Sequence, residues 1–396
     1  MNRPNIFNYA KKELSQDAIM AWFFACLHSN QKEYKQIGVK FINYIFGSDY
    51  TENDIDIEEK SPEVQYHKMD IYSVVKTGEL LHPIIVEDKT DTFLHSNQFK
   101  NYCEKVAKWT TENKYLKNLR NEFKNENLNW GDLLYVYFKS GFSPKFEKKE
   151  FLAEQKKAEE TVINCNSKIK LKVREIYIGD MISFIESLQC NDNLLLEYLE
   201  FLKKRNSLFI EAYNNALLKS NNDKYKEYFS NTAGCSRLFE NAFGENVYFR
   251  NELYQGWSSR DLFVMSSKIN NDSKNDIFYC FRFESCSYNK KFYAYAFQLQ
   301  QYRYEKSTIG DKELLFNEKI SQAKEIQKLS EEIISEMNSP VEVSYVNLDS
   351  TRGKDGKMLF KVFICENNTP DLVCDFVNKF TLAICQRIEA KEILFK

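Results

Sequence analysis

Three charged residues stand at the ends of two consecutive β-rich segments. Asp70 begins the first segment, while Glu87 and Lys89 end the second, directly after apolar residues. Because side chains alternate along a strand, Glu87 and Lys89 point to one face and Asp88 points to the other. Two carboxylates at a buried strand end suit a hard cation such as Mg²⁺. Such an ion would lower the pKa of a bound water and polarise a phosphodiester, while Lys89 would orient that water or offset charge in the transition state.

These charged residues need a β-hairpin to hold them together. Residues 69–75 and 83–89 have the composition of strands, and residues 76–79 between them have the composition of a turn. Further strands are predicted at 132–139 and 170–178. The sequence therefore predicts an α/β domain of roughly 190 residues, within the common range of domain sizes.

Amphipathic helices are predicted around these strands. The first follows Ser15, which would serve as its N-cap, and the second spans residues 34–46. The acidic stretch 49–63 predicts a solvated loop with a short edge strand. A further helix begins around Ser96 and carries apolar residues on one face.

The sequence pattern changes after residue 190. An amphipathic pattern over residues 191–230 predicts a helical connector. Residues 231–396 combine strand-like segments with a long helical stretch and end in a helix that opens with Pro370. We therefore predict three parts: an α/β domain at residues 1–190, the helical connector, and a second, C-terminal α+β domain.

Composition and charge limit the classes of function. The 396 residues carry 55 Lys and Arg against 57 Asp and Glu, a net charge of -2, so any nucleic-acid surface must be local. Residues 100–175 contain such an excess, 17 basic against 11 acidic residues. Ten cysteines with no Cys-X-X-Cys pair, together with only four histidines, exclude zinc-finger and thioredoxin-type sites. Because no apolar run approaches the ~20 residues of a membrane helix, we expect a cytoplasmic protein.

The order of Asp70 and then Glu87-Asp88-Lys89 on a hairpin resembles the signature of the PD-(D/E)XK nuclease superfamily. The N-terminal sequence NIFNYAKKELSQDAIMAWFF resembles the opening helix of a bacterial branch of that superfamily, which places an acid at Glu13, just ahead of the helix. Gln98 and Tyr102, four residues apart, match the glutamine-bearing helix that often follows the Glu-X-Lys strand. One difference is Met69, which stands where the superfamily often has proline.

This resemblance implies a fold and an activity. It covers roughly residues 5–180 and implies a restriction-endonuclease-like mixed sheet flanked by helices, with the element order α-β-β-β-α-β. The implied activity is hydrolysis of phosphodiester bonds with Mg²⁺ or Mn²⁺ as cofactor. The implied metal ligands are the carboxylates of Asp70 and Glu87 and the backbone carbonyl of Asp88.

Three further residues receive catalytic roles from the same resemblance. Lys89 would serve the attacking water, Glu13 would support the metal or its water shell, and Gln98 would orient Lys89 or a phosphate. Asp17, on the first turn of the helix, is an alternative to Glu13.

The resemblance also implies partners. Nucleic acid is the expected substrate, DNA in preference to RNA, and no membrane is expected. Because the branch is often associated with phage defence, defence is the suggested setting, with the C-terminal domain recognising a target or a trigger. The sequence leaves open whether the chain forms a homodimer and whether a ligand or a phage component activates it.

Two other interpretations of the charged cluster stay open at this point. In the first, the chain is a catalytically silent protein that binds nucleic acid or a partner on a nuclease-like scaffold. Alternatively, the cluster would be an internal ion pair between Lys89 and an acid, and both domains would serve assembly. His67, His82 and His95, near the motif in sequence, would assist water activation or occupy ordinary loop and strand-end positions.

Overall fold

The computed structural model describes residues 7, 12–90, 97–143, 145–218, 228, 232–243, 262–265, 277–285, 293–301, 309–348, 356–364 and 367–390. The chain divides into two compact units, residues 1–208 and 209–396. Each unit has its own sheet. The first unit is mixed α/β, with a mixed central sheet flanked by helices.

The first unit contains the elements that position the charged cluster. Its described helices are α1 (Lys12–Ala25), α2 (Lys32–Phe46), α3 (Gln98–Trp109), α4 (Asn113–Glu122), α5 (Lys145–Cys165), α6 (Ile178–Leu188) and α7 (Asn193–Asn215), the last of which extends past residue 208. Its described strands are β1 (Ile55–Ile57), β2 (Glu63–Val64), β3 (Ile71–Thr77), β4 (Leu80–Lys89), β5 (Asn129–Trp130), β6 (Leu133–Lys139) and β7 (Leu171–Tyr177).

The sheet of the first unit has the strand order β1-β3-β4-β6-β7, with β2 beside β3 and β5 beside β4. Strands β3 and β4 form the expected antiparallel hairpin, and its turn contains Gly78 at a φ of +60°, a conformation that suits glycine. Strands β4, β6 and β7 are parallel. Every residue of β6 is buried, as expected of a parallel strand covered on both faces.

Helices α3 and α5 cover one face of this sheet. Phe99 of α3 stacks on Tyr135 of β6, with ring centroids 3.8 Å apart, and Phe151 of α5 lies 5.4 Å from Phe99. Alternate residues of the strands, among them Tyr72 and Ile85, belong to the same core. Helix α1 packs against β3 and β4, and α2 packs against α1 and α6. The charged residues Glu87, Asp88 and Lys89 lie at the carboxyl end of β4, between these helices.

Most of the predicted elements of this unit are confirmed within a few residues. The predicted start of the first helix is wrong: α1 begins at Lys12, so Ser15 lies inside the helix and is not its N-cap. The residues Lys-Glu-Leu before Ser15 have good helix propensity, which extends the helix toward the N-terminus. The predicted second helix ends as expected, because Gly47 takes a left-handed φ of +65°. The helix expected around Ser96 is α3, and residues 91–96 lie outside the described residues.

Among its described residues, the second unit has a five-stranded antiparallel sheet in the order β11 (Val343–Tyr345), β12 (Gly356–Ile364), β10 (Tyr293–Gln301), β9 (Ile277–Ser285) and β8 (Leu262–Met265). Its last helix begins at Pro370, as predicted, and packs with Phe380 against Phe360 at a centroid distance of 5.1 Å. The strand-like residues 247–254 lie outside the described residues. The described elements are α8 (Thr232–Phe243), β8 (Leu262–Met265), β9 (Ile277–Ser285), β10 (Tyr293–Gln301), α9 (Ile309–Met337), β11 (Val343–Tyr345), β12 (Gly356–Ile364) and α10 (Pro370–Ala390). In the part of the chain that the structure describes, no helix has the length and apolar character to span a membrane.

Candidate active site

The hairpin brings the predicted charged residues together. Strand β3 pairs with β4 so that Ile71 lies opposite Val86, and Asp70 and Glu87 are the neighbours of this pair in sequence. The backbone N–H of Asp88 donates a hydrogen bond of 2.8 Å to Oδ2 of Asp70. The carboxylate of Asp70 is therefore tied to the strand that carries Glu87.

Glu87 is the most buried member of this cluster. Its side chain is fully buried, and Lys89, with 7% of its surface exposed, contacts Oε1 through Nζ. The Nε2 of Gln98 donates a hydrogen bond of 2.6 Å to the same oxygen. The other oxygen, Oε2, has no hydrogen-bond partner among the described residues. A buried carboxylate oxygen with unused lone pairs needs a partner, which a bound water or a cation would supply.

Burial also changes the protonation of Glu87. Desolvation raises the pKa of its carboxyl to about 8; the Lys89 ammonium opposes the shift, and the nearby charges of Asp70 and Asp17 add to it. Burial and like charge together outweigh the ion pair. Without a cation, the folded protein therefore favours the protonated carboxyl at neutral pH. Carboxyls with a pKa displaced in this way are concentrated at functional sites.

Helix α3 fixes Gln98 through a chain of hydrogen bonds. Gln98 Nε2 also donates to the hydroxyl of Tyr102 at 3.1 Å, and that hydroxyl donates to the backbone carbonyl of Lys68 at 2.5 Å. Gln98 was expected to orient Lys89 or a phosphate, and its described hydrogen bonds go to Glu87 and Tyr102. Gln98 and Lys89 meet at Oε1 of Glu87, so both help to set the orientation of that carboxyl.

The N-terminal helix supplies Asp17. Glu13 lies inside the first turn of α1, not ahead of the helix as expected, and its side chain lies outside the described residues. Asp17, one turn later, is buried, and Gln65 Nε2 donates to its Oδ2 at 3.0 Å and to Oδ1 of Asp70 at 3.3 Å. Gln65 thus joins α1 to the cluster. No sequence pattern marks Gln65, because its position depends on a left-handed backbone with a φ of 54°.

The types of ligand atom in the cluster indicate which metal ion it could bind. Among the described residues, no three or more His, Cys, Asp and Glu side chains are grouped to hold a metal ion. Asp70 and Glu87 supply two carboxylates, and Mg²⁺ is commonly held by one or two carboxylates with waters and substrate phosphates completing its shell. The residues therefore fit Mg²⁺ or Mn²⁺ and do not fit an all-protein zinc cage. Asp88 is buried, and its charge adds to the effect of burial in raising the pKa of the Tyr198 hydroxyl; the metal ligand predicted for Asp88 is its backbone carbonyl.

The histidines near the motif take separate places. His82 is buried, with its ring nitrogens 3.0 Å from Thr77 Oγ1 and 3.1 Å from the backbone carbonyl of Asp132. Burial lowers the pKa of His82, so this side chain is a neutral part of the core. His95 lies outside the described residues, and His67 belongs to the turn Tyr66–Lys68 before Asp70.

Comparison with known protein families, with characterised proteins and with solved structures gives no match for this chain. The likeness of Asp70, Glu87 and Lys89 to the PD-(D/E)XK signature therefore stays a prediction. A function for the chain has to come from the chemistry of its own residues.

Proposed function

We propose that this protein is a nuclease that uses Mg²⁺ or Mn²⁺ to hydrolyse phosphodiester bonds, in DNA rather than in RNA. The observation that carries the proposal is Glu87, a fully buried carboxyl whose Oε2 has no hydrogen-bond partner among the described residues. Asp70 precedes β3, which pairs with the strand of Glu87, and Lys89 contacts Glu87. Burial is the main cause of the raised pKa of Glu87, and the charge of Asp70 adds to it; a cation between the two carboxylates would offset both and give Oε2 a partner.

Each residue of the cluster has a separate task in this proposal. Asp70 and Glu87 would hold the ion, which would supply an acidic bound water and a positive charge beside the phosphate. Lys89 would turn from Glu87 toward that water or toward the charge that develops on the phosphate. Gln98 would keep Glu87 in place through its 2.6 Å hydrogen bond, and Asp17 would stand in the position expected of Glu13.

The arrangement of the first unit supports the same proposal. Helix α1 precedes the antiparallel hairpin β3–β4, helix α3 follows it, and β6 then pairs in parallel with β4. This order is compatible with a restriction-endonuclease-like fold. We further propose that the protein acts in the cytoplasm in defence against phage, and that part of residues 231–396 recognises the target or a trigger.

A catalytically silent protein is the second candidate, and the observation that favours a non-catalytic cluster is the contact of Lys89 with Glu87. An ion pair retained for stability is expected to use both oxygens of its carboxylate. The described contacts of Glu87 use Oε1 and leave Oε2 buried. This difference favours the nuclease.

A cleavage assay tests the proposal. The full chain and an Asp70→Asn variant would be incubated with plasmid, linear duplex, single-stranded DNA and RNA, in millimolar Mg²⁺ or Mn²⁺ and with a chelator as control. We expect metal-dependent cleavage of DNA by the parent and a loss of about 100-fold or more in the variant. Equal cleavage by both proteins would contradict the site. If the parent cleaves nothing and takes up no Mn²⁺, the silent scaffold is correct.

A further inference from the structure

An aromatic cavity of about 250 Å³ lies beside the candidate active site. Four rings line it, from the turn before Asp70, from β3, from α3 and from α4: Tyr66, Tyr72, Trp109 and Tyr115. The centroids of Tyr66 and Trp109 are 5.6 Å apart, and those of Tyr72 and Trp109 are 5.4 Å apart. Tyr66, Trp109 and Tyr115 are partly exposed and form a surface for a flat, conjugated ligand, while Tyr72 is buried in the core.

The segment that forms one wall of the cavity also holds the active-site cluster. Gln65, His67 and Lys68 have φ values of 54°, 53° and 74°, a left-handed backbone that is rare for residues other than glycine. Gln65 contacts Asp70 and Asp17, and the carbonyl of Lys68 accepts the hydrogen bond from Tyr102. His67, between them, lines the cavity. Strained backbone of this kind is concentrated at functional sites, and here it links two sites.

Helix α3 carries residues of both sites. Gln98, Tyr102 and Trp109 are spaced by four and seven residues, so they lie on one face of the helix. At 1.5 Å of rise per residue, Trp109 lies about 10 Å along the axis from Tyr102. Gln98, one turn before Tyr102 on the same helix face, donates to Glu87, so α3 connects the cavity to the cluster.

The charged side chains around the cavity indicate which charge a ligand would carry. Lys60 Nζ lies 5.7 Å from the Tyr66 ring and 5.6 Å from the Tyr115 ring, and Lys105 Nζ lies 5.9 Å from the Trp109 ring. Lys60 also pairs with Glu63 at 3.1 Å. Lys114 adds a second cation to the lining. Glu58 also pairs with Lys60, at 3.6 Å, and among the described residues Glu112 is the one carboxylate on the lining against the two lysines Lys60 and Lys114. Because the lysine side chains stand over the rings, an aromatic ligand that carries negative charge is favoured over a cationic one.

The size and edge chemistry of the cavity fit one base. Its volume of about 250 Å³ is below the roughly 300–1,000 Å³ of pockets for drug-sized ligands, so it suits a single ring system. Glu112 and Asn118 on the lining provide hydrogen-bonding groups for the edge of a base. Aromatic stacking beside lysines is the usual way in which proteins hold unpaired bases of a strand.

We infer that this cavity holds one unstacked nucleobase of a nucleic-acid strand whose backbone runs on to Asp70 and Glu87. The inference names the substrate contact of the proposed nuclease and in that sense rests on the proposed function. A free nucleotide has the same chemistry as a base with its phosphate, and the test below separates the two sources.

The test is a binding measurement with the full chain in a chelator, so that no cleavage is needed. Fluorescence anisotropy would compare a labelled single-stranded DNA with an abasic strand of the same length and charge. We expect the parent to bind the natural strand about 5- to 160-fold more tightly, the range for stacking of a base on an aromatic side chain. Trp109→Leu should remove most of this preference, whereas Trp109→Phe, which keeps a ring, should retain it.

A pair of lysine variants supplies the matched control. Lys114 and Lys117 are exposed residues of the same helix, α4, and only Lys114 lines the cavity. Lys114→Ala should weaken binding of both strands and make binding less dependent on salt, and Lys117→Ala should leave both affinities within about two-fold of the parent.

Three results would overturn the inference: equal affinity of the parent for natural and abasic strands, a base preference that survives in a folded Trp109→Leu variant, or a mononucleotide that binds through Trp109 as tightly as the strand does. The last result would assign the cavity to a free nucleotide. These outcomes are independent of catalysis. If the parent shows the base preference but cleaves nothing, the base-binding cavity is supported and the proposed nuclease activity is contradicted. If the parent cleaves DNA without a base preference, the nuclease activity is supported and the base-binding cavity is contradicted.

Discussion

Two buried Lys–Glu pairs lie side by side in the first unit and differ in how completely the acid is satisfied. Lys89 at the end of β4 and Lys139 at the end of β6 are register partners in the parallel sheet. Lys89 contacts Glu87 on its own strand, and Lys139 contacts Glu147 of α5 at 3.1 Å. All four residues are buried.

In the Lys139–Glu147 pair, both carboxylate oxygens of Glu147 accept hydrogen bonds. Oε1 of Glu147 accepts from the Tyr137 hydroxyl at 2.5 Å as well as from Lys139, and Oε2 accepts from Ser143 Oγ at 3.0 Å. Glu87 receives Lys89 and Gln98 on Oε1, and Oε2 lacks a hydrogen-bond partner among the described residues. The two Lys–Glu pairs therefore differ in one oxygen: both oxygens of Glu147 have partners, and Oε2 of Glu87 is where the proposed cation would bind.

The largest expected difference between the pairs is in cleavage. Lys89→Met should reduce metal-dependent DNA cleavage by about 10²- to 10⁴-fold, the usual contribution of a group that serves proton transfer. Lys139→Met, the matched change in the neighbouring strand, should stay within a few-fold of the parent per folded molecule. Initial rates on plasmid DNA measure both, and similar losses in the two variants would remove the functional distinction.

Stability should show the opposite ranking. Lys139→Met leaves Glu147 as a buried unpaired charge and should lower the free energy of unfolding by about 3–5 kcal/mol. Lys89→Met should cost about 1 kcal/mol or less at pH 7, because the pKa of Glu87, raised by burial to about 8, lets that carboxyl hold a proton. Urea unfolding at pH 7 without metal gives both values. A larger loss for Lys89→Met would mean that its ion pair serves stability.

The raised pKa of Glu87 predicts a pH dependence with a definite sign. Between pH 4.5 and about 8 the unfolded chain releases this proton while the folded protein keeps it, so the free energy of unfolding falls as pH rises. Glu87→Gln removes this dependence and should be more stable than the parent by about 2–4 kcal/mol at pH 8, with little difference at pH 4. Urea unfolding at a series of pH values without metal checks it. Parallel profiles for the two proteins would show that Glu87 titrates normally.

The smallest expected effect concerns the hydrogen bond that orients Glu87. Gln98→Ala should weaken Mn²⁺ binding by about 10-fold, the lower end of the effect of losing such a supporting contact. Gln155→Ala is the matched control, since Gln155 Nε2 donates to Glu159 Oε1 at 2.8 Å on α5. Titration with Mn²⁺ measures both affinities, and equal effects would show that Gln98 has no special part in the site.

The hairpin could be predicted from the sequence because its information is local. Strand alternation places Glu87 and Lys89 on one face, and the turn at Gly78 fixes the register that brings Asp70 next to the strand of Glu87. The contact of Gln65 with Asp17 could not be predicted, because it joins residues 48 positions apart through a left-handed backbone. The aromatic cavity could not be predicted either. Its rings come from several elements and meet only after the sheet and α3 have packed.

The most direct test of the central claim is a calorimetric titration with Mn²⁺ at pH 7 of the parent, Glu87→Gln and Glu147→Gln. The parent should bind Mn²⁺ and release about one proton per ion, seen as a dependence of the heat on buffer, because the ion displaces the proton of Glu87. Glu147→Gln should bind with the same proton release, and Glu87→Gln should lose binding. A parent that takes up no Mn²⁺, or a Glu87→Gln variant that binds it as the parent does, would contradict the claim that the open pair is a metal site.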